Sequence, residues 1–98
     1  MTYRIEFRPE AFADVAEAFS YYESQRRGLG EDFESELDRT LDLVAEMARA
    51  GPEVYRQLRR VFLHRFPFAI YYRLGGQLVE VRGVIHTSRD PGVWKGRA

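Results

Sequence analysis

The run Phe66-Pro67-Phe68-Ala69-Ile70-Tyr71-Tyr72-Arg73-Leu74-Gly75-Gly76-Gln77-Leu78-Val79-Glu80-Val81-Arg82-Gly83-Val84-Ile85-His86 decides the fold. Its β-branched and aromatic residues alternate in short stretches with a period of two, the pattern of extended strands. Gly75-Gly76 interrupts the pattern, and a two-residue primed turn requires positive φ at its centre. Residues 62–74 and 77–86 are therefore expected to pair as an antiparallel hairpin across that turn. Pro67 cannot donate a ladder hydrogen bond, so a bulge or bend is expected there, with Phe66 held extended ahead of it. Another alternating run, Val54 to Val61, supplies a preceding strand.

Upstream of Gly51-Pro52 the apolar period changes to three and four. Phe12, Val15, Ala16, Phe19 and Tyr22 form one stripe, and Phe33, Leu37, Leu41, Val44, Met47 and Ala48 form a second. Both are helical spacings. Pro9 is tolerated at a first helical position, with Glu10 and Asp14 near the positive end of the helix; Gly28 and Gly30 can take the left-handed conformation that ends one. A short alternation, Tyr3, Ile5 and Phe7 against Arg4, Glu6 and Arg8, opens the chain as a strand. The expected class is α+β: an N-terminal strand and a two-helix antiparallel hairpin packed on one face of a small, mostly antiparallel sheet. The other face is left open, and the tail after His86 reads as irregular.

Ninety-eight residues suit a single domain, 1–98, with a modest core. The 45% hydrophobic content rules against disorder. No cysteine is present, which excludes disulfides and thiolate metal sites and suits a reducing cytoplasm. No stretch has the length or apolarity of a signal peptide or membrane span, so the expectation is a cytoplasmic protein without membrane partners.

The zero net charge hides an asymmetry. Residues 1–50 carry 12 acidic side chains against 6 basic, a net of −6, and residues 51–98 carry 3 against 9, a net of +6. All the cations except Lys95 are Arg, whose planar forks suit phosphate and carboxylate. A cationic half built on strands favours an anionic partner, nucleic acid or an acidic protein segment. Along the last strand Val79, Val81, Gly83 and Ile85 share one side, and Glu80, Arg82 and His86 the other. The second set is expected to line the open face, where Arg56, Arg60, Arg65 and Arg73 could converge with it.

For chemistry on the phosphates of a nucleic-acid partner, arginine can stabilise a crowded phosphate but cannot move a proton near neutrality, so a His, Glu or activated Tyr is needed. His86, beside Arg82 and Arg89, is the candidate, with Glu53 a lesser one; the competing reading of His86 is a hydrogen-bonded strand-end residue. His64 reads as an ordinary strand residue. Two His with no Cys and no close carboxylates argue against a metal, and no cofactor motif occurs. Arg89 and Asp90 are expected to tie the tail by a local ion pair, and Trp94 to fold it against the body.

Phe66 to Arg73, Gly75-Gly76, Val79-Glu80-Val81, Val84-Ile85-His86 and Arg89-Asp90-Pro91 through Trp94, together with the opening strand and a helix bearing Ala11 and Asp14, resemble the RelE/ParE toxin superfamily. The resemblance implies the toxin half of a bacterial type II toxin–antitoxin pair, associated with plasmid stabilization and growth arrest, whose antitoxin wraps over it. RelE-like members cut messenger RNA on the ribosome, and ParE-like members inhibit DNA gyrase by binding it. Thr87 and Ser88 follow His86 where RNA-cleaving relatives often have Tyr, Ala69 stands where they commonly have Arg, and their lysine cluster is absent. The resemblance therefore favours the ParE-like branch and a protein that is not an enzyme. Arg60, Arg65, Arg82, His86, Arg89, Trp94 and Arg97 are then the expected contacts for target or antitoxin. The alternative is a ribosome-dependent endonuclease in which His86 handles a proton while Arg65, Arg82 and Arg89 hold the phosphate.

Overall fold

The computed structural model describes residues 2–98. Along it lie β1 (Arg4–Phe7), α1 (Pro9–Gln25), α2 (Leu29–Glu46), a 3-10 turn (Ala48–Ala50), β2 (Glu53–Tyr55), β3 (Leu58–Phe62), β4 (Phe68–Gly75), β5 (Leu78–His86) and a short α3 (Pro91–Lys95). The strands form one sheet in the order β1-β5-β4-β3-β2. The α+β class and the helical hairpin on one sheet face are as the sequence indicates. The β4–β5 hairpin is also present, but its two-residue turn is Gly76-Gln77: Gly75 ends β4 paired to Leu78, and of the two glycines only Gly76 has positive φ, 60. All pairings are antiparallel except the β1 edge, which runs parallel to β5.

Three local expectations are corrected. The run Val54 to Val61 is split into β2 and β3 by Arg56 and Gln57, both left-handed at φ 48 and 69. Neither is Gly or Asn, so the turn carried no composition signal. Pro67 lies outside β4, in the loop before it, where its carbonyl accepts from Thr87 N–H at 2.8 Å. The irregularity of the hairpin is instead at Arg82: Tyr72 pairs with Val81 and Tyr71 with Gly83, leaving Arg82 as the extra residue. A bulge of one residue inverts the faces beyond it. Val79, Val81 and Val84 therefore join the core under the helices, while Ile85 turns to the opposite face, away from the valines it was grouped with.

The helices are fixed by specific contacts. Pro9 occupies the first turn of α1, as expected; the fully buried residues of the helix are Ala11 and Ala18, with Val15 and Tyr22 of the predicted stripe packed partly buried beside them, and Phe12 is left 69% exposed. Gly28 (φ 88) turns the chain into α2, and the Glu23 carboxylate of α1 accepts the N–H groups of Gly28 and Gly30, each at 3.0 Å. A carboxylate at a helix N-terminus satisfies orphan donors and opposes the dipole. Gly30 does not end a helix. It lies in the first turn of α2, where an added Cβ would stand 2.9 Å from Phe19, so its role is close helix packing. Met47, placed in the apolar stripe of α2, is exposed.

Phe33, Leu37 and Val44 of α2 pack with Ile70, Tyr72, Val79, Val81 and Val84 of the sheet. Fully burying each of these side chains stabilises the fold by roughly 1.5–3 kcal/mol. Glu36 is also buried, at 4% exposure, and its Oε2 accepts the Arg65 N–H at 2.6 Å. This bond ties the loop between β3 and β4 to α2. No helix among the described residues is long and apolar enough to cross a membrane.

Candidate functional site

The sheet face away from α1 and α2 is not open. Residues after His86, expected to be irregular, form α3, which lies on that face and closes a second cluster of Leu58, Ala69, Tyr71 and Ile85 with Val93 and Trp94. Asp90 caps α3, its Oδ1 accepting Gly92 N–H at 2.7 Å, and Pro91 follows in the first turn. That capping takes the place of the expected Arg89–Asp90 ion pair. Trp94 does fold onto the body: its ring stacks on Tyr71 with centroids 5.3 Å apart and planes 13° from parallel.

What anchors this segment is Arg97. Its Nη1 donates to Asp14 Oδ2 at 2.9 Å and its Nη2 to Asp14 Oδ1 at 3.0 Å, while Nη1 also donates to the Arg82 carbonyl at 2.9 Å. Hydrogen bonding to Asp14 pushes the Arg97 pKa up despite its burial. The same Asp14 accepts Val84 N–H at 3.0 Å, where β5 has run past the end of β1 and its edge is unpaired. One carboxylate on α1 thus covers the sheet edge and holds the C-terminal segment. Gly83 lets Arg97 in: a Cβ there would meet Ile85 Cδ1 at 2.8 Å and Arg97 Nη1 at 3.1 Å.

The arginines expected to converge divide among three places. On the α3-bearing face, Arg60 lies over Phe62 at 4.8 Å and over Trp94 at 5.6 Å. Arg73 bonds Gln57 Oε1 at 2.8 Å, and Arg82 is bound to Glu80 Oε1 at 2.6 Å. Arg56 caps the β2–β3 turn over the Tyr55 ring. Arg59, outside that expected set, turns to the other face and donates to the carbonyls of Arg49 and Gly51. Arg65 is exposed on the loop before β4, its guanidinium over Phe66.

His86 is a correction. Beyond the bulge it pairs with Phe68, whose ring it meets edge-on at 5.2 Å, and it therefore lies on the helix side and not beside Arg82. It lines a cleft of about 770 Å³ with Asp14, Tyr21, Tyr22, Arg89 and Arg97. Ser88 N–H donates to its Nδ1 at 3.0 Å, with Ser88 Oγ at 2.8 Å from the same nitrogen, so the neutral ring carries its proton on Nε2. Of the four residues the nuclease reading requires, the structure brings His86 and Arg89 together and places Arg82 and Arg65 elsewhere. Sequence reading gave Asp14 only helix-end and family-pattern significance and missed its role as an anchor. The available signal was spacing: Asp14 falls three residues after Ala11 and four before Ala18, on the buried line of α1.

The chain belongs to the ParE toxin family of type II toxin–antitoxin systems: the family's sequence model, described as ParE toxin of type II toxin-antitoxin system, parDE, matches residues 5–91. Among solved structures it is similar to "Chromosomal ParDE TA system from P. aeruginosa", with a TM-score of 0.77 at 16% identity, over 89% of this chain and 98% of that one. That likeness concerns the fold. No curated protein matches the sequence.

Proposed function

We propose that this toxin acts in the cytoplasm by binding, without chemistry, that its target is DNA gyrase, and that a cognate antitoxin covers its working surface. The observation that carries the reading is the commitment of the conspicuous cations to structure. Arg97 is spent on Asp14 and Arg82 on Glu80, and together they hold α3 across the sheet, so that Trp94, Lys95, Arg60 and Phe62 form a shaped surface. A pre-organised surface of rings and guanidinium groups suits a protein partner, since such side chains dominate binding energy at interfaces. The P. aeruginosa structure is of a ParDE pair, which supports an antitoxin as a partner here.

One feature favours the endonuclease as a second reading: His86 and Arg89 share a cleft large enough for a nucleotide. The discriminating experiment induces the chain in bacteria without antitoxin. Filamentation with DNA breakage, and inhibition of supercoiling by purified gyrase, are expected. Rapid translation arrest with cut transcripts and normal supercoiling would reverse the assignment.

A further inference from the structure

The α3-bearing face holds a second feature beyond shape. Tyr71, Trp94, Arg60 and Phe62 form a continuous stack, with Trp94 on Tyr71 at 5.3 Å and the Arg60 guanidinium over both Trp94 (5.6 Å) and Phe62 (4.8 Å). The stack ends on a ring that is 55% exposed, Phe62. Arg60 Nε is buried without a hydrogen-bond partner among the described residues, so stacking is what holds this guanidinium. On the same face, Arg56, Arg73 and Lys95 line a shallow concavity of about 540 Å³ with Gln57. No carboxylate side chain lines it among the described residues. Gly96 and Ala98 complete the lining, and Ala98 brings the chain's terminal carboxylate. Of the acidic side chains on the neighbouring strands, Glu80 is bound to Arg82 and Glu53 accepts the Gln57 N–H.

Three cations against one terminal carboxylate leave a positive excess that attracts an anion, and an exposed ring closing a π–cation stack accepts another flat group. A single polymer supplies both, phosphates at regular spacing and bases with two free faces. An acidic peptide offers the charge but not the flat rings. We propose that this face binds single-stranded DNA, a base extending the stack at Phe62 while Arg56, Arg73 and Lys95 take phosphates. The choice of DNA over RNA rests on the gyrase reading; the strand-binding surface itself does not.

The test uses the full chain, free of antitoxin and gyrase, and a fluorescent DNA strand of about 12 nucleotides, within the roughly 4–16 nucleotides that small single-strand-binding surfaces occupy. With three phosphate contacts, affinity is expected to fall roughly 20-fold between about 50 and 200 mM salt. Arg73→Gln with Lys95→Gln should abolish most of that salt dependence, and Phe62→Ala should weaken binding about tenfold with little change in it. Phe62 is exposed, so this variant is expected to keep its melting temperature. Absence of binding at low salt, binding unchanged in these variants, or equal competition by polyglutamate of matched charge would each overturn the proposal. RNA of the same sequence binding more than tenfold tighter would overturn the choice of DNA. Because gyrase is absent, any of these failures leaves the gyrase reading standing.

Discussion

Arg97 reaches back across 83 residues to grip Asp14 with both terminal nitrogens, joining the end of the chain to its first helix. The two side chains are only 22% and 19% exposed, so the pair is shielded from the screening that makes surface ion pairs weak. Removing the guanidinium leaves a carboxylate still needed by Val84 N–H, whereas removing the carboxylate strands both donors.

Asp14→Ala is therefore expected to destabilise more than Arg97→Ala, with Arg97→Ala costing about 1.5–3 kcal/mol. Urea denaturation measures the difference. Hydrogen exchange should show Val93 and Arg97 amides losing protection in both variants, and Val84 only in Asp14→Ala. Equal stability of Arg97→Ala and the parent would mean that α3 is held by Trp94 alone.

Glu36 is the one buried acid of the helical hairpin, and it holds the Arg65 amide. Glu36→Ala leaves that donor unsatisfied and should cost about 1–3 kcal/mol. Glu36→Gln retains an acceptor of the same reach and should lose less. Comparison of the two denaturation midpoints checks the order.

Tyr72 is 1% exposed and donates to the Ala48 carbonyl at 2.8 Å. Burial pushes its phenol above the usual pKa, against the lowering pull of Arg59. The folded state thus binds this proton more tightly than the unfolded chain does. Its contribution is full below the ordinary tyrosine pKa and is lost as pH rises from there through the folded value. Tyr72→Phe should lower stability at neutral pH by about 1 kcal/mol and make the alkaline decline shallower. Some decline remains, because burial and the neighbouring Tyr21 also raise Tyr22. Denaturation curves at pH 7 to 11 test this, and an unaltered slope in the variant would contradict it.

His86→Gln keeps a side chain able to meet Ser88 and should leave growth arrest intact if the toxin works by binding. Under the endonuclease reading the same change abolishes killing while affinity for the antitoxin is preserved. Viability counts after induction, paired with antitoxin binding, separate the two.

Much of this architecture was legible in local sequence. The period-two runs on either side of Gly75-Gly76 dictate the central hairpin, because alternate residues of a strand must face opposite sides. The three-and-four spacing in residues 12–48 dictates two helices, with Gly28 between them where positive φ was needed. What local pattern could not carry was which side each functional group takes. The extra residue at Arg82 arises from pairing with Tyr71 and Tyr72, and it moves His86 under the helices and Ile85 away from them. The placement of α3 depends on Asp14, Gly83 and Tyr71, which meet it only once the chain has folded. Composition and periodicity thus determined the two long helices, the central hairpin and the cationic half. The tertiary structure alone decided which arginines are structural and which remain free, because that depends on the nearest carboxylate in space and not along the chain.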